Sequence, residues 1–475
     1  MLLLLGTWWY ELYKQDPQHI LIETALVCFI IWLLFIRRTV DPKKGKINEK
    51  LTAKEIDWLI DSWQPEPLVP VELDEKAKAI VDGMLIIESI DGNYINVKGT
   101  NKKLLNLMSY DFLGLSQNKE VKQETISALS KYGCGSCGPR GFYGTIDQHL
   151  RIEKDVATFM GTPEAIAYSD GASAVSSTIP AFSRNGDLLI VDEACSEAII
   201  SGCVLSRSKV EYFKHNDMED LEKFLKRIRD DDVRLKRDAT QQRRFIVTEG
   251  VFRSTGEICR LPKIIELKKE FCYRVIVDES ISFGTLGKTG RGVTEHYNIP
   301  ITDVEVTVVA MDTTLASVGG LCIGTREVVD HQRLSGAGYC FSASAAPFLS
   351  AAAAVSLKIM QDNSSLVLTL QRNSQRLYDG LSKCPHLSVL SEEPSAVIQL
   401  VLNPPLVSKE IEDLKILKIA KQCQEQGLGV VASTFSIISG GSVLRPSIRV
   451  CSSATLTTNQ IDEAIKILTS SFAMK

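Results

Sequence analysis

The chain has 475 residues, 44% of them hydrophobic and 24% charged, with a formal net charge of -4. That length suits one large domain with a smaller one appended, and the near-neutral charge gives no basic field for nucleic acid. Twelve cysteines scattered singly through apolar segments fit free thiols in a reducing compartment better than a disulfide framework.

The N-terminus differs from the rest. Met1 to Tyr10 carries Trp8, Trp9 and Tyr10, an aromatic cluster expected at a membrane interface. Ile20 to Ile36 is an almost uncharged run, roughly 25 Å of helix at ~1.5 Å per residue, enough to cross a thin bilayer. Arg37, Arg38, Lys43, Lys44 and Lys46 follow it directly. Positive charge after the span predicts a single-pass anchor in residues 1–46 with everything downstream cytosolic. Residues 47–95 read as an arm, with a helix-like stretch (LTAKEIDWLIDSW) and a proline-stiffened Gln64 to Pro70.

From there, short apolar runs alternate with amphipathic helical patterns. The runs are Leu188 to Asp192, Arg244 to Gly250, Tyr273 to Ser280 and Glu305 to Asp312, and they predict buried parallel strands. The expected fold is α/β: a large domain over 96–344 with a mainly parallel sheet, then a smaller α+β domain over 345–475 that opens on an alanine-rich helix. The mixed charge run Arg229 to Arg244 reads as a solvated loop. Three tempting signals are set aside. GTLGKT from Gly284 has Ser282 where a phosphate loop needs its first glycine, Cys134 and Cys137 lack a second cysteine pair, and six histidines without ligand spacing give a metal site no support.

Seven motifs then fall in order: Tyr110 to Leu115 (YDFLGL), Tyr132 to Glu153, Ser169-Asp170-Gly171, Glu249-Gly250, Val277-Asp278-Glu279, Gly319-Gly320 and Arg449 to Thr457. Their order and spacing resemble the α-oxoamine synthases, pyridoxal-phosphate enzymes of fold type I that condense an amino acid with an acyl-CoA and lose carbon dioxide. The resemblance runs from about residue 100 to the C-terminus. In that family a lysine forms the Schiff base to the cofactor, six residues before the first glycine of the Gly-Gly pair; here the position is Thr313, and no lysine occurs between Lys288 and Lys358. The family's histidine positions carry Ser196, Ile281 and Leu456. Asp278, the pyridine partner, keeps its chemical type, as a relic carboxylate or as a residual cofactor contact.

The resemblance therefore implies a chain with no catalytic residue and no metal of its own. In fold type I dimers the active sites lie at the subunit interface, so the intact glycine-rich loop and the segment after Tyr339 are expected to serve a partner's site, through Cys137, Gly138, Arg140, Tyr143, Tyr339, Ser342 and Ser344. Further stretches, Trp63 to Pro70, Phe213 to Met218, Gly292 to Tyr297 and His331 to Ser344, resemble a membrane-anchored, lysine-less branch of the family. That branch implies an endoplasmic-reticulum complex in which a lysine-bearing paralogue holds pyridoxal 5'-phosphate and joins L-serine to palmitoyl-CoA, giving 3-ketosphinganine. Small activating subunits and Orm-type regulators are implied with it. Two alternatives stand beside this reading: an active homodimeric enzyme using a displaced lysine such as Lys288, and a purely architectural anchor.

Overall fold

A computed structural model describes residues 22, 25–32, 51–65, 67–68, 73–99, 102–434, 436–437 and 443–473. Two compact units divide the chain, Met1–Glu72 and Leu73–Lys475. Of the expected span at 20–36, residues 22 and 25–32 are described, as helix, and the other eight lie outside the described residues. Among the described residues no helix is long and apolar enough to cross a membrane. In the first unit the expected arm helix forms over Ala53–Ser62. Thr52 and Glu55 close a reciprocal capping box at its start, which satisfies two of the helix's free N–H groups.

The second unit opens on an antiparallel set, β1 (Ile87–Asp91), β2 (Tyr94–Val97) and β3 (Lys103–Asn106). Seven strands then build the main sheet: β4 (Glu164–Tyr168), β5 (Leu188–Asp192), β6 (Lys209–Phe213), β7 (Arg244–Glu249), β8 (Arg274–Asp278), β9 (Val306–Ala310) and β10 (Gly320–Gly324). Their spatial order is β4-β10-β9-β8-β7-β5-β6, and β10 alone runs against its neighbours. Uniform burial of β5, β7 and β9 explains their uninterrupted apolar sequence, because helices cover both faces of a parallel sheet. The parallel run leaves Asp192, Glu249 and Asp278 at the carboxyl ends of β5, β7 and β8, the edge at which open α/β sheets bind ligands.

Toward the C-terminus come β11 (Leu387–Val389), β12 (Val397–Leu402), β13 (Leu428–Gly429), β14 (Val431–Ser433), β15 (Ser436–Ile437), β16 (Val443–Leu444) and β17 (Ser447–Cys451). An antiparallel sheet β11-β12-β17-β14 and the helices Ser365–Leu381, Lys409–Glu425 and Thr458–Phe472 enclose a second apolar core, while β13 adds in parallel to β3. The alanine-rich helix Pro347–Asp362 packs on the helices Lys119–Tyr132 and Asp147–Met160 and shares the larger core through Ala353, Ala354, Leu357 and Met360. Its small side chains allow that close approach, so it sits with the large sheet's helices although the sequence boundary at 345 groups it with the smaller unit. The charge run from Arg229 is corrected as well. Its first seven residues continue the helix Met218–Leu235, whose buried stripe of Leu221, Leu225, Ile228 and Asp232 outweighs the polar composition. Buried Asp232 meets Arg244 at 2.6 Å.

Candidate functional site

A cavity of about 870 Å³ opens at the carboxyl-end edge, lined among others by Gly171, Ser196, Arg253, Asp278, Asp312 and Arg449. Gly171 begins the helix Gly171–Phe182, and Asp170 caps that helix by accepting from the Ser173 N–H at 2.7 Å. Asp278 accepts from the Ser280 N–H at 2.9 Å. Burial raises the Asp278 carboxyl above its ordinary range, against the opposing bonds from Ser280. Its cross-strand neighbour Glu249 is buried too, and burial, then the Asp278 charge, push it up to about 7. Glu249 accepts from the backbone N–H of Ser196 and, at 3.0 Å, from that of Arg253. Sequence reasoning passed over Glu249 as a site residue, although its place at a strand end in the Glu249-Gly250 motif was a usable signal.

The residues at the family's catalytic positions do not come together on this cavity. Ser196 lines it, with its hydroxyl buried and without a hydrogen-bond partner. Thr313 is buried, and its hydroxyl donates to the Ser280 carbonyl at 2.9 Å and leans on the Ala310 carbonyl at 3.3 Å. Ile281 and Leu456 are packed into the two apolar cores. Among the described residues no lysine or histidine lines this cavity, and Lys288 is exposed on the loop beyond Ser282. A covalently held pyridoxal phosphate does not fit these residues: there is no amine for the imine and no ring from Ser196 or Leu456 to stack on or hydrogen-bond it. Asp278 alone retains the chemistry the cofactor would require.

Three residues from distant parts of the chain form one wall. The guanidinium groups of Arg253 and Arg449 lie 4.9 and 4.4 Å from the centre of the Tyr110 ring, and Arg449 donates to the Tyr110 hydroxyl and, at 3.2 Å, to the Met108 carbonyl. Behind the rim, His215 joins Asp192 at 2.9 Å and Glu257 at 2.6 Å. Asp192 also accepts from the N–H groups of Ala194 and Asn216, which fixes the turn leading to Ser196. Neither cluster was legible as a site, because the members of the first are separated by hundreds of residues and those of the second lie on three separate segments between Asp192 and Glu257.

The glycine-rich loop and the segment after Tyr339 form a single surface unit. Ser344 donates to the carbonyls of Gly138, at 2.9 Å, and Gly144, and Ser136 donates to the Ser344 carbonyl at 2.8 Å. A Cβ at Gly144 would stand 1.9 Å from the Gly138 carbonyl oxygen, so that crossing admits only glycine. Arg140 and Tyr339 are buried within this chain: Arg140 clasps Glu153 at 2.7 and 3.1 Å and lies over the Tyr339 ring. Those two side chains serve the chain's own packing. Ser342 sits 3.3 Å from Ser169 beside the start of the Gly171 helix. Cys137 and Tyr143 are exposed with φ of +57° and +68°, and Phe142 and Phe341 are also exposed. The left-handed backbone at Cys137 and Tyr143 and the exposed rings of Phe142, Tyr143 and Phe341 give this unit an apolar outer face.

Sheet order, strand-end edge and small-domain layout define the fold of a type I pyridoxal-phosphate transferase. Residues 102–468 match the family profile described as aminotransferase class I and II. The chain is 39% identical over 457 residues to "Serine palmitoyltransferase 1" of Dictyostelium discoideum, covering 95% of this chain and 93% of the relative. It is 40% identical over 422 residues to "Long chain base biosynthesis protein 1" of Arabidopsis thaliana, covering 88% and 84%. Among solved structures, the Sphingomonas wittichii serine palmitoyltransferase superposes with a TM-score of 0.72 at 25% identity, over 82% of this chain and 91% of that one. A serine palmitoyltransferase from S. paucimobilis with bound PLP-myriocin aldimine superposes with a TM-score of 0.74 at 24% identity, over 84% and 95%, which shows the shared fold. The chain belongs to the aminotransferase class I and II family, within the branch of serine palmitoyltransferase 1 and long chain base biosynthesis protein 1.

Proposed function

We propose that this chain is the non-catalytic, required subunit of a serine palmitoyltransferase heterodimer. A lysine-bearing paralogue holds the pyridoxal phosphate and condenses L-serine with palmitoyl-CoA. The observation that carries the reading is Thr313, buried at the family's lysine position with its hydroxyl committed to backbone carbonyls, next to a strand-end cavity whose described lining has no lysine or histidine; Lys418 and Lys421, on the adjoining cavity that Thr313 lines, are exposed. The exposed Lys288 argues against a displaced catalytic lysine. The sewn glycine loop argues against a mere tether, since an anchor has no use for an apolar surface held on such constrained backbone. The N-terminal segment supports a single-pass endoplasmic-reticulum anchor with cytosolic domains, and the branch supports small activating subunits and Orm-type regulators as further partners.

The isolated chain is expected to carry no cofactor on any lysine after borohydride treatment, whereas the co-purified heterodimer carries it on the paralogue. A borohydride-fixed adduct mapped to a lysine of this chain would falsify the reading. Thr313→Lys alone is expected to leave the chain without ketosphinganine synthesis, because Ser196, Ile281 and Leu456 still supply no ring. Activity from that single variant purified without its paralogue counts equally against the proposal.

The loop's role has its own test. Because Cys137 is exposed, a bulky Cys137→Trp meets no core of this chain, and its effect reports a neighbouring subunit. Overpacking that contact is expected to weaken association by about 1–3 kcal/mol and to lower the heterodimer's serine turnover. Normal complex yield together with normal turnover removes this loop from the interface.

A further inference from the structure

The helix Lys409–Glu425 carries two apolar stripes, and the smaller core uses one of them, through Ile416, Ile419 and Cys423. Leu414 and Leu417 belong to the other. They line a cavity of about 930 Å³ whose further walls include Met84, Leu85, Met108 and Val430, a volume in the range that holds a small-molecule ligand. Lys76, on the helix Glu75–Asp82, pairs with buried Asp413 at 2.5 Å and so latches the wall from Ala79 to Met84 against the helix Lys409–Glu425. Met84, Ile87 and Ile90 on these walls stay exposed, an apolar surface that the described chain leaves uncovered.

The stripe of Leu414 and Leu417 continues into Lys418 and Lys421, because positions i, i+3, i+4 and i+7 share one face of a helix. All four line the cavity. Both lysines are exposed, and three carboxylates share the cavity with them, yet none comes within 4.0 Å of either ammonium. Asp111 accepts from the Leu115 N–H at 2.8 Å and from Ser116, Asp312 lies in the field of Arg253, and Asp82 is exposed at the end of its helix. An apolar cavity is stabilised by a hydrocarbon chain, and lysines that lay their stems on apolar surface hold their charges at its rim for an anionic head. The same two charges repel a cationic one.

We propose that this cavity binds a long-chain carboxylate, the unesterified fatty acid, with its head on Lys418 and Lys421 and its chain along Met84, Met108, Leu417 and Val430. Binding is reversible and forms no covalent bond. The site is built from this chain alone, so it stands whether or not the chain is a catalytically silent subunit.

The test uses the heterodimer in phosphatidylcholine nanodiscs and palmitate carrying a diazirine in its chain, with cross-linked peptides mapped by mass spectrometry. Expected adducts fall on this chain around Met84, Met108 and Leu414 to Val430. Unlabelled palmitate displaces them at a concentration about tenfold below hexadecanol, which has the same chain length and no charge. The double variant Lys418→Glu with Lys421→Glu, which reverses the field at two exposed positions, and Leu417→Trp, which fills the chain cavity, are each expected to cut labelling about tenfold in complexes with normal serine turnover. Equal displacement by hexadecanol, undiminished labelling of either variant, or labelling confined to the paralogue overturns the proposal. Displacement by palmitoyl-CoA at a lower concentration than by palmitate overturns the free acid as the ligand, since the site then takes the thioester. A heterodimer that turns over serine but leaves this chain unlabelled overturns the proposal while the subunit reading stands; cofactor on a lysine of this chain overturns the subunit reading whatever the labelling.

Discussion

Arg140→Ala is expected to lower the unfolding free energy of this chain by about 3–5 kcal/mol, the range for removing one member of a buried ion pair. The guanidinium is almost fully enclosed, donating to both carboxylate oxygens of Glu153 and, through Nε, to the Thr145 hydroxyl at 3.1 Å. Glu153 in turn accepts from the Ala167 N–H of β4 at 2.8 Å, so the pair ties the glycine-rich loop to the helix Asp147–Met160 and to the main sheet. Truncating Arg140 strands a buried carboxylate and frees the loop that carries Cys137, Phe142 and Tyr143. Arg140→Lys keeps the charge but loses the two-pronged geometry, and its cost is expected to lie between wild type and alanine. Chemical denaturation of the purified heterodimer, followed by proteolysis of this chain, measures both. A cost below about 1 kcal/mol for Arg140→Ala would place the pair in solvent, where ion pairs contribute that little.

What the sequence made legible follows from how far apart the interacting residues are. The strands at Leu188, Arg244, Arg274 and Val306 announce themselves because burial on both faces demands an unbroken apolar run. Thr313 is equally legible, since a missing amine is a property of one position. Direction is not: the residues of β10 (GLCIG) are as apolar as those of a parallel strand, and its antiparallel pairing is fixed only by the register against β4 and β9. The helix continuing into the charge run depends on Asp232 finding Arg244, an ion pair that composition cannot show. Arg140 illustrates the same limit at the site. Its motif marks it as part of a contact surface, yet Glu153, on the following helix, draws it inside, and the exposed Phe142 and Tyr143 are left to meet a neighbour.

The stability of the chain is expected to fall by about 1–2 kcal/mol between pH 7 and 8.5, and His215 is the cause. Burial by itself would lower the His215 pKa, but the hydrogen bonds and charges of Asp192 and Glu257 outweigh it and push it up to about 9. The ring is further enclosed by the Phe252 edge and the Thr255 hydroxyl. A group with a raised folded pKa contributes stability that is complete below its unfolded value, 6.5 for histidine, and that is lost as pH rises through about 9. His215 dominates this window. Glu249 and Glu279, both pushed up to about 7, give up their stabilisation mainly below that pH. The buried thiols of Cys195 and Cys259, ordinarily ionising near 9, are raised well above that, so their contribution declines only at higher pH. Because Asp192 holds the turn that places Ser196 against Glu249, the same titration is expected to loosen the cavity rim, read as faster amide exchange at 193–196. His215→Gln should remove most of the slope, since glutamine holds no titrating proton and only the residual titration of Glu249 and Glu279 is left in the window. Wild-type stability that stays level from pH 7 to 8.5 would mean that His215 is neutral in the folded chain and that Asp192 and Glu257 do not hold a charged ring between them.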